Sequence, residues 1–221
     1  MLNNTIILAC SSLKDYIERT QEILGTNYAV RYLNRIYHRD PAEMREHILQ
    51  ELENLPEGTE TVLAAMGFCG GSWEGVAAPC RIVIAHIDDC VSLLLQGGDD
   101  PISDLKTPGH LYVREKMPNT ESFHKIFEQL TAGIDEETKS RYHRDWQNLY
   151  SNIDIMDTGI NDCRTPEYRD FVQADADWLN AELSYVSAGT HMLEKLLSGN
   201  WDEQFLILQK GEISTKQKVL L

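Results

Sequence analysis

The stretch TVLAAMGFCGGSWEGVAAPCRIVIAHIDDCVSLLL, residues 61–95, decides the fold class of this chain. It contains two short apolar runs, and each ends in a turn that carries a cysteine, Cys69 or Cys90. The first apolar run of the chain, residues 5–9, is followed by Cys10 in the same way. Such runs predict buried parallel strands, whose carboxyl ends meet at one edge of a sheet. Because open α/β sheets bind ligands at that edge, we expect the three sulfur atoms to gather there.

Strand patterns alternate with helical patterns along the rest of the chain. Strands are predicted at residues 5–9, 28–33, 61–66, 81–86, 110–114, 153–156, 182–186 and 205–208. The alternation predicts an α/β fold with parallel sheets and helices on both faces. The break GGDDP, residues 97–101, favours two Rossmann-like halves that share a cleft, residues 1–105 with the cysteines and residues 106–210. Residues 211–221 are predicted to be a polar, mobile tail.

Charge and composition limit the classes of partner. The chain has 20 Lys and Arg against 35 Asp and Glu, a formal charge of −15. Such a charge repels phosphate backbones and anionic lipid, so neither nucleic acid nor a membrane is an expected partner. No apolar run approaches the roughly 18 residues of a membrane span. The start MLNNTIILAC lacks the basic region of a signal peptide, so we expect a cytoplasmic protein.

The cysteines are the strongest candidates for a functional site. A reducing compartment disfavours disulfides, which leaves thiol, metal or catalytic roles for the five cysteines. Three thiolates at one edge repel each other unless a cation joins them. Zinc with a fourth ligand, or an iron–sulfur cluster with one open iron, would relieve that repulsion, and the spacing does not separate the two. The alternative is that Cys10, Cys69 and Cys90 are small buried residues without a metal.

Other residues are predicted at the same edge. His38, His86 and Asp89 are candidate catalytic groups beside the metal, although Asp89 also has a sufficient role as a helix cap. The glycine-rich turn at residues 67–71 could cradle an anion with its N–H groups, but it lacks a Walker or dinucleotide motif. His191 begins a predicted helix after a strand, where it could contact the same ligand. The candidate cofactor-binding residues are therefore Gly67, Gly70, Gly71 and His191.

A set of ordered motifs gives the chain a resemblance to a known family. These are IILAC near the start, YHRDP before a helix, GFCGG, VIAHIDDCVSLLL, PGHLY and LLSGNWDEQFLIL. Across nearly the whole chain they resemble the uncharacterised family called domain of unknown function 1638. The family pattern is close to YGLCG around Cys69 and PRxHDC around Cys90. The residues that match the family position by position are Cys10, His38, Cys69, Asp89 and Cys90.

The resemblance has one departure and one implication. Ala85 and His86 stand where the family has Pro-Arg, and Asp88 stands where it has histidine. A shift of two positions along a strand keeps a side chain on the same face, so His86 could replace the family histidine as a ligand. Members occur mostly in anaerobes and methanogens, often alongside corrinoid-dependent methylamine methyltransferases. The resemblance therefore implies a metal-bearing α/β protein of anaerobic one-carbon metabolism.

Three hypotheses of function follow. The first is a metal or iron–sulfur site at Cys10, Cys69 and Cys90 that activates or transfers a small methyl- or sulfur-containing group. This protein would be a metal-dependent transferase or iron–sulfur lyase, with a small-molecule substrate or a corrinoid supplied by a methyltransferase partner. The second is a non-catalytic accessory or carrier that docks to a methyltransferase. The third is metal-free catalysis by a cysteine nucleophile. The sequence is also compatible with a homo-oligomer, and it assigns no role to Cys163.

Overall fold

The computed structural model describes residue 2 and residues 4–114, 122–160 and 162–220. The chain divides into two compact units, Met1–Leu105 with Gly189–Leu221 and Lys106–Ala188. Each unit has a sheet with parallel strands and accompanying helices, which confirms the predicted α/β class. Within the described part of the chain, no helix is long and apolar enough to cross a membrane.

The strands and helices follow the predicted alternation closely. The strands are β1 (Thr5–Cys10), β2 (Ala29–Leu33), β3 (Thr61–Ala65), β4 (Arg81–Ala85), β5 (His110–Val113), β6 (Asn152–Asp157), β7 (Glu182–Ser187) and β8 (Phe205–Leu208). The helices are α1 (Lys14–Leu24), α2 (Pro41–Glu53), α3 (Cys90–Leu95), α4 (Phe123–Leu130), α5 (Glu136–Leu149), α6 (Pro166–Leu179), α7 (His191–Ser198) and α8 (Lys216–Val219).

The first unit is built on a five-stranded sheet in the order β2-β1-β3-β4-β8. The first four strands are parallel, and β8 runs antiparallel to β4. The all-parallel expectation therefore does not extend to this edge strand, a common arrangement in mixed sheets. Strands β1 and β3 are buried along their whole length, and α2 adds Met44, Ile48 and Leu52 to the core. This core fixes the carboxyl ends of β1, β3 and β4 along one edge.

The start of α2 illustrates how local sequence sets an element. The Asp40 carboxylate accepts a hydrogen bond from the Ala42 N–H at 2.9 Å, and Pro41 occupies the first turn. Both features follow from the sequence, because a capping carboxylate satisfies a free N–H and proline lacks one. Before this cap, a 3₁₀ turn at Arg35–Arg39 joins β2 to α2 and carries His38.

The second unit contains a three-stranded parallel sheet in the order β5-β6-β7. Its core is formed by Ile153 and Ile155 of β6 against the buried face of α6. The buried Asp154 carboxylate bonds His110 Nδ1 at 2.6 Å and accepts a hydrogen bond from the Ser184 hydroxyl. These bonds satisfy a charge that would otherwise be costly to bury. Cys163, also buried, belongs to this unit.

The C-terminal part of the chain is placed differently from the prediction. Residues 189–210 were expected in the second half, but they pack with the first unit, where β8 pairs with β4. The predicted mobile tail is also packed: Ser214 and Val219 are fully buried, and residue 213 forms a β-bridge with Ala77. These contacts join residues far apart in the chain, which local patterns do not reveal.

The loops that follow β3 and β4 lie directly against each other. Phe68 N–H donates to Ile87 O at 2.9 Å, and Cys69 N–H donates to Asp88 O at 2.6 Å. A Cβ atom on Gly67 would lie 2.5 Å from the Asp89 Cα atom. Contact this close between two backbones requires a residue without a side chain. The predicted ligand role of Gly67 therefore has a packing alternative.

Replacing Gly67 with alanine should force these two loops apart. We expect Gly67→Ala to lower the free energy of unfolding by about 1–3 kcal/mol, the usual cost of overpacking. Chemical denaturation measures this change. Gly97→Ala is the matched control, because a Cβ there meets no atom within 4 Å, and it should change stability by no more than about 0.5 kcal/mol. Equal effects of both substitutions would contradict the proposed role of Gly67.

A polar cluster around Lys195 links α7 to the rest of the first unit. The largely buried Lys195 ammonium donates to Asp99, Asp202 and Gln204. Its hydrogen bond is the main cause that lowers the pKa of the Asp99 carboxyl. Burial raises the pKa of Asp202, but the Lys195 contacts outweigh it and leave that pKa lowered. The ammonium thus stabilises both carboxylates in the folded state.

The Lys195 cluster predicts a pH-dependent stability difference. A carboxyl whose folded-state pKa is lowered contributes stability above its unfolded-state pKa, near 3.8, and loses it as the pH falls through the folded-state value. Lys195→Met should therefore have a lower free energy of unfolding than wild type at pH 7, and this difference should shrink below pH 4. Urea unfolding curves at both pH values measure it. Lys14→Met, which breaks an exposed pair with Glu18, should have little effect. A difference that stays constant with pH would contradict this.

Candidate metal centre

Three potential metal ligands from separate elements converge in the first unit. Cys10 ends β1, His38 lies in the 3₁₀ turn after β2, and Cys90 is the first residue of α3. One ligand atom from each of them lies within 4.8 Å of the other two. The parallel pairing of β2, β1, β3 and β4 puts all three segments at the carboxyl edge of the sheet. We call Cys10, His38 and Cys90 the Cys-His-Cys group.

The Cys10 sulfur is the most connected atom of the group. It lies 3.1 Å from His38 Nε2 and 3.0 Å from the Ser12 hydroxyl. The Ser12 N–H also donates to it at 3.5 Å, so Cys10 acts as the cap of the 3₁₀ turn that follows β1. Cys10 and Cys90 are buried, whereas His38 is exposed. The group is therefore enclosed on the sulfur side and open to solvent on the imidazole side.

Cys90 is held in place by the cap of its own helix. The Asp89 carboxylate accepts hydrogen bonds from the N–H groups of Val91, at 3.0 Å, and Ser92, at 2.8 Å. This is the structural role that the sequence offered as the alternative to catalysis for Asp89. Capping satisfies two free donors at the start of a short helix and so fixes its first residue.

Cys69 lies beside the Cys-His-Cys group but is not one of its three members. It is buried, and its φ of 49° is in the left-handed region, which is strained for a residue with a side chain. Its N–H bond to Asp88 O holds it against the loop that leads to Cys90. The sequence predicted Cys10, Cys69 and Cys90 as ligands. The structure brings two of these together with His38 and leaves Cys69 as a neighbour of Cys90.

Crowding and burial of the sulfurs disfavour their charged forms. The neighbouring Cys90 thiol, together with burial, raises the pKa of Cys10 to about 12, although His38 acts in the opposite direction. Cys10 lowers the pKa of Cys90 through a hydrogen bond, but Cys69 and burial outweigh it and leave that pKa raised. Hydrogen bonds to Cys10 and Cys90 raise the pKa of His38 to about 10. A metal ion would have to displace protons from all three groups.

The donor set and its spacing fit a single metal ion. Cysteine sulfur and histidine nitrogen are the preferred ligands of zinc. Four ligands in a tetrahedral zinc site lie about 3.8 Å from one another, given a Zn–S bond of about 2.3 Å. The ligand atoms of the Cys-His-Cys group lie within 4.8 Å, which requires only small shifts to reach that spacing. The residues present could therefore hold zinc.

The other predicted site residues are not members of this group. His86 is buried, and its Nδ1 atom lies 2.8 Å from Val219 O in α8. His191 Nε2 lies 3.3 Å from an Asp99 carboxylate oxygen. Gly70 and Gly71 line a cavity beside the loop of Cys69. The group thus contains neither His86 nor His191, although their positions after strands suggested it.

One contact of the site was missed at the sequence level. Ser12 contacts the Cys10 sulfur through both its hydroxyl and its N–H group. Serines that follow a strand predict a cap for the next helix, and this pattern does not by itself indicate a contact with the cysteine. A serine two residues after a cysteine at a strand end was an available signal, because that spacing permits local side-chain to backbone bonds.

Comparison with known families places the chain in one of them. Residues 32–197 match the family described as "Protein of unknown function (DUF1638)". This match covers more than half of the chain and includes His38, Cys69 and Cys90, whereas Cys10 precedes it. Comparisons with curated proteins and with solved structures found no match. The chain therefore belongs to the DUF1638 family of proteins of unknown function.

Proposed function

We propose that this protein binds one zinc ion through Cys10, His38 and Cys90 and uses it to activate a small sulfur- or methyl-containing molecule. The observation that carries the proposal is the convergence of these three ligand atoms to within 4.8 Å of one another. The ligands come from three segments that only the folded sheet edge brings together. Such a convergence of two thiols and an imidazole is chemically suited to zinc.

A single ion is favoured over a [4Fe–4S] cluster. In a [4Fe–4S] cluster each cysteine binds a different iron atom, so the cluster core keeps the cysteine sulfurs well apart. Cys10 and Cys90 instead have their sulfur atoms within 4.8 Å, close enough for one ion to join them. The exposed imidazole is also a nitrogen donor, which suits zinc better than an ordinary all-cysteine cluster.

The exposure of the group favours an accessible centre over a closed structural one. Zinc sites that act on substrates keep one position for water or substrate, and zinc lowers the pKa of what binds there. Cys10 and Cys90 anchor the buried side, while His38 borders solvent. Ser12 orients the Cys10 sulfur, and the Asp89 cap fixes Cys90. A small molecule would approach from the side of His38.

The metabolic setting is a separate part of the proposal. Anaerobic one-carbon metabolism, with a corrinoid methyltransferase as partner, is supported by the family resemblance alone. Within that setting the protein would either act on a methylated compound or serve the methyltransferase as a carrier. Copurification from an anaerobic source, followed by identification of the bound protein, tests this part without bearing on metal binding.

A metal-free cysteine enzyme is the main rival. The 3.1 Å contact between Cys10 Sγ and His38 Nε2 favours it, because such a pair can form a reactive thiolate. The pKa of Cys10, raised to about 12 mainly by Cys90 and then by burial, opposes it. A nucleophilic cysteine needs a lowered pKa, so we place this function second.

Metal content tests the proposal directly. Protein purified without chelator should carry about one zinc per chain, whereas Cys10→Ala and Cys90→Ala should carry almost none, because each loses a ligand. Elemental analysis with an absorption spectrum measures this and detects iron. Cys80→Ala is the matched control, since Cys80 is partly exposed and lies outside the group. Stoichiometric iron, or full zinc in both variants, would refute the proposal.

Two substitutions at Cys69 distinguish a role as a zinc ligand from a role in shaping the loop. Both Cys69→Ala and Cys69→Gly remove the sulfur, but only glycine relieves the positive φ of 49°. If Cys69 supplies the fourth ligand, both should weaken zinc affinity by about tenfold or more in competition with a chelator. The glycine variant should also be more stable than the alanine variant by about 1–2 kcal/mol. Normal affinity in the glycine variant alone would show that Cys69 only shapes the loop.

A further inference from the structure

A second feature of the first unit is a cavity of about 420 Å³ beside the loop of Cys69. Its wall includes the cations Arg45 and Lys216, the carboxylates Glu74 and Asp88, and the apolar residues Phe68 and Leu220. None of the Cys-His-Cys group lines it. The cavity is therefore a separate candidate site, with a volume at the lower end of ordinary ligand pockets.

Arg45 has hydrogen-bonding capacity that the protein does not use. Its Nη2 donates to Gly71 O at 2.7 Å, while its Nε is buried without a partner. Among the described residues, the Gly71 carbonyl is the only acceptor bonded to this guanidinium. A buried charged donor without an acceptor is costly, and a guanidinium pairs best with a carboxylate or phosphate. The Nη1 of Arg45 is bonded to no described residue and is not buried, so Nη1 is the donor that an anionic group in the cavity could reach.

The remaining charges favour a ligand that also carries a positive group. Two cationic and two anionic side chains line the cavity, so a simple anion would be attracted by one pair and repelled by the other. Glu74 already accepts a hydrogen bond from the Lys216 N–H at 2.6 Å, and a carboxylate can accept several. Phe68 and Leu220 add an apolar surface. A small zwitterion meets all of these features.

We propose that this cavity binds a small ammonium carboxylate of the free amino acid class, with its carboxylate on Arg45 and its ammonium on the side of Glu74 and Asp88. This binding goes beyond the proposed metal centre and does not depend on it. The two sites are linked through residues 67–71, whose Gly71 carbonyl is held by Arg45, and through Asp88, which lines the cavity two residues before Cys90.

The test is direct binding of defined probes to the full chain. The twenty L-amino acids would be titrated one at a time by calorimetry, with acetate and propylammonium as probes of each charge alone. We expect at least one amino acid to bind more tightly than either single-charge probe. No amino acid binding, or acetate binding equally well, would overturn the proposal. Measuring chelator-treated and zinc-loaded protein keeps this result separate from that of the metal centre.

Two variants assign the binding to the cavity. Arg45→Met should weaken amino acid binding by about tenfold or more, because it removes a charge-assisted hydrogen bond. Arg19→Met, at an exposed pair with Glu22, is its control and should bind normally. Glu74→Gln keeps an oxygen for the Lys216 N–H and should weaken amino acid binding without weakening acetate binding. Unchanged affinity in folded Arg45→Met and Glu74→Gln proteins would place the ligand elsewhere and overturn the proposal.

Discussion

The structure depends on the close backbone contact between the loops that follow β3 and β4. Two N–H to carbonyl bonds, from Phe68 and Cys69 to residues 87 and 88, join the loops. Gly67 makes this contact possible, since any Cβ there would meet the Asp89 backbone. The contact sets where Cys90 begins its helix and forces Cys69 into a left-handed conformation. The left-handed conformation of Cys69 carries a strain of about 1–3 kcal/mol. The hydrogen bond from the Cys69 N–H to Asp88 O offsets this strain.

The strained backbone of Cys69 and the crowded thiols of Cys10 and Cys90 occur at the same edge of the sheet. In the protein without metal, the sulfurs of Cys10 and Cys90 and the neighbouring Cys69 thiol raise thiol pKa values through proximity and burial. Stability alone does not require three cysteines at this place, because protonated thiols pack like other small apolar residues. A bound cation reverses the sign of the same interactions. The proximity that keeps the thiols protonated without a metal would thus place them to share the cation that we propose.

The sequence predicted the elements well and their long-range pairing less well. Strands such as β1 and β3 are short apolar runs with sharp ends, so their bounds could be predicted within about two residues. The pairing of β8 with β4 and the packing of α8 join distant segments, and four-residue α8 is too short to show a period. The boundary of the second unit at residue 188 followed from that pairing, which is why residues 189–210 were misplaced.

A similar difference, between which segments meet and where their side chains point, explains which parts of the site could be predicted. Parallel strands that end in cysteine must meet at one edge, so the approach of Cys10 to Cys90 was predictable from topology. Side-chain direction inside the turns was not, because it depends on individual dihedral angles. The 3₁₀ turn at Arg35–Arg39 directs His38 toward Cys10. His86 was predicted as a ligand, but its Nδ1 atom contacts Val219 O in α8 instead. A sheet edge therefore specifies which segments meet, and turn geometry specifies which side chains share an ion.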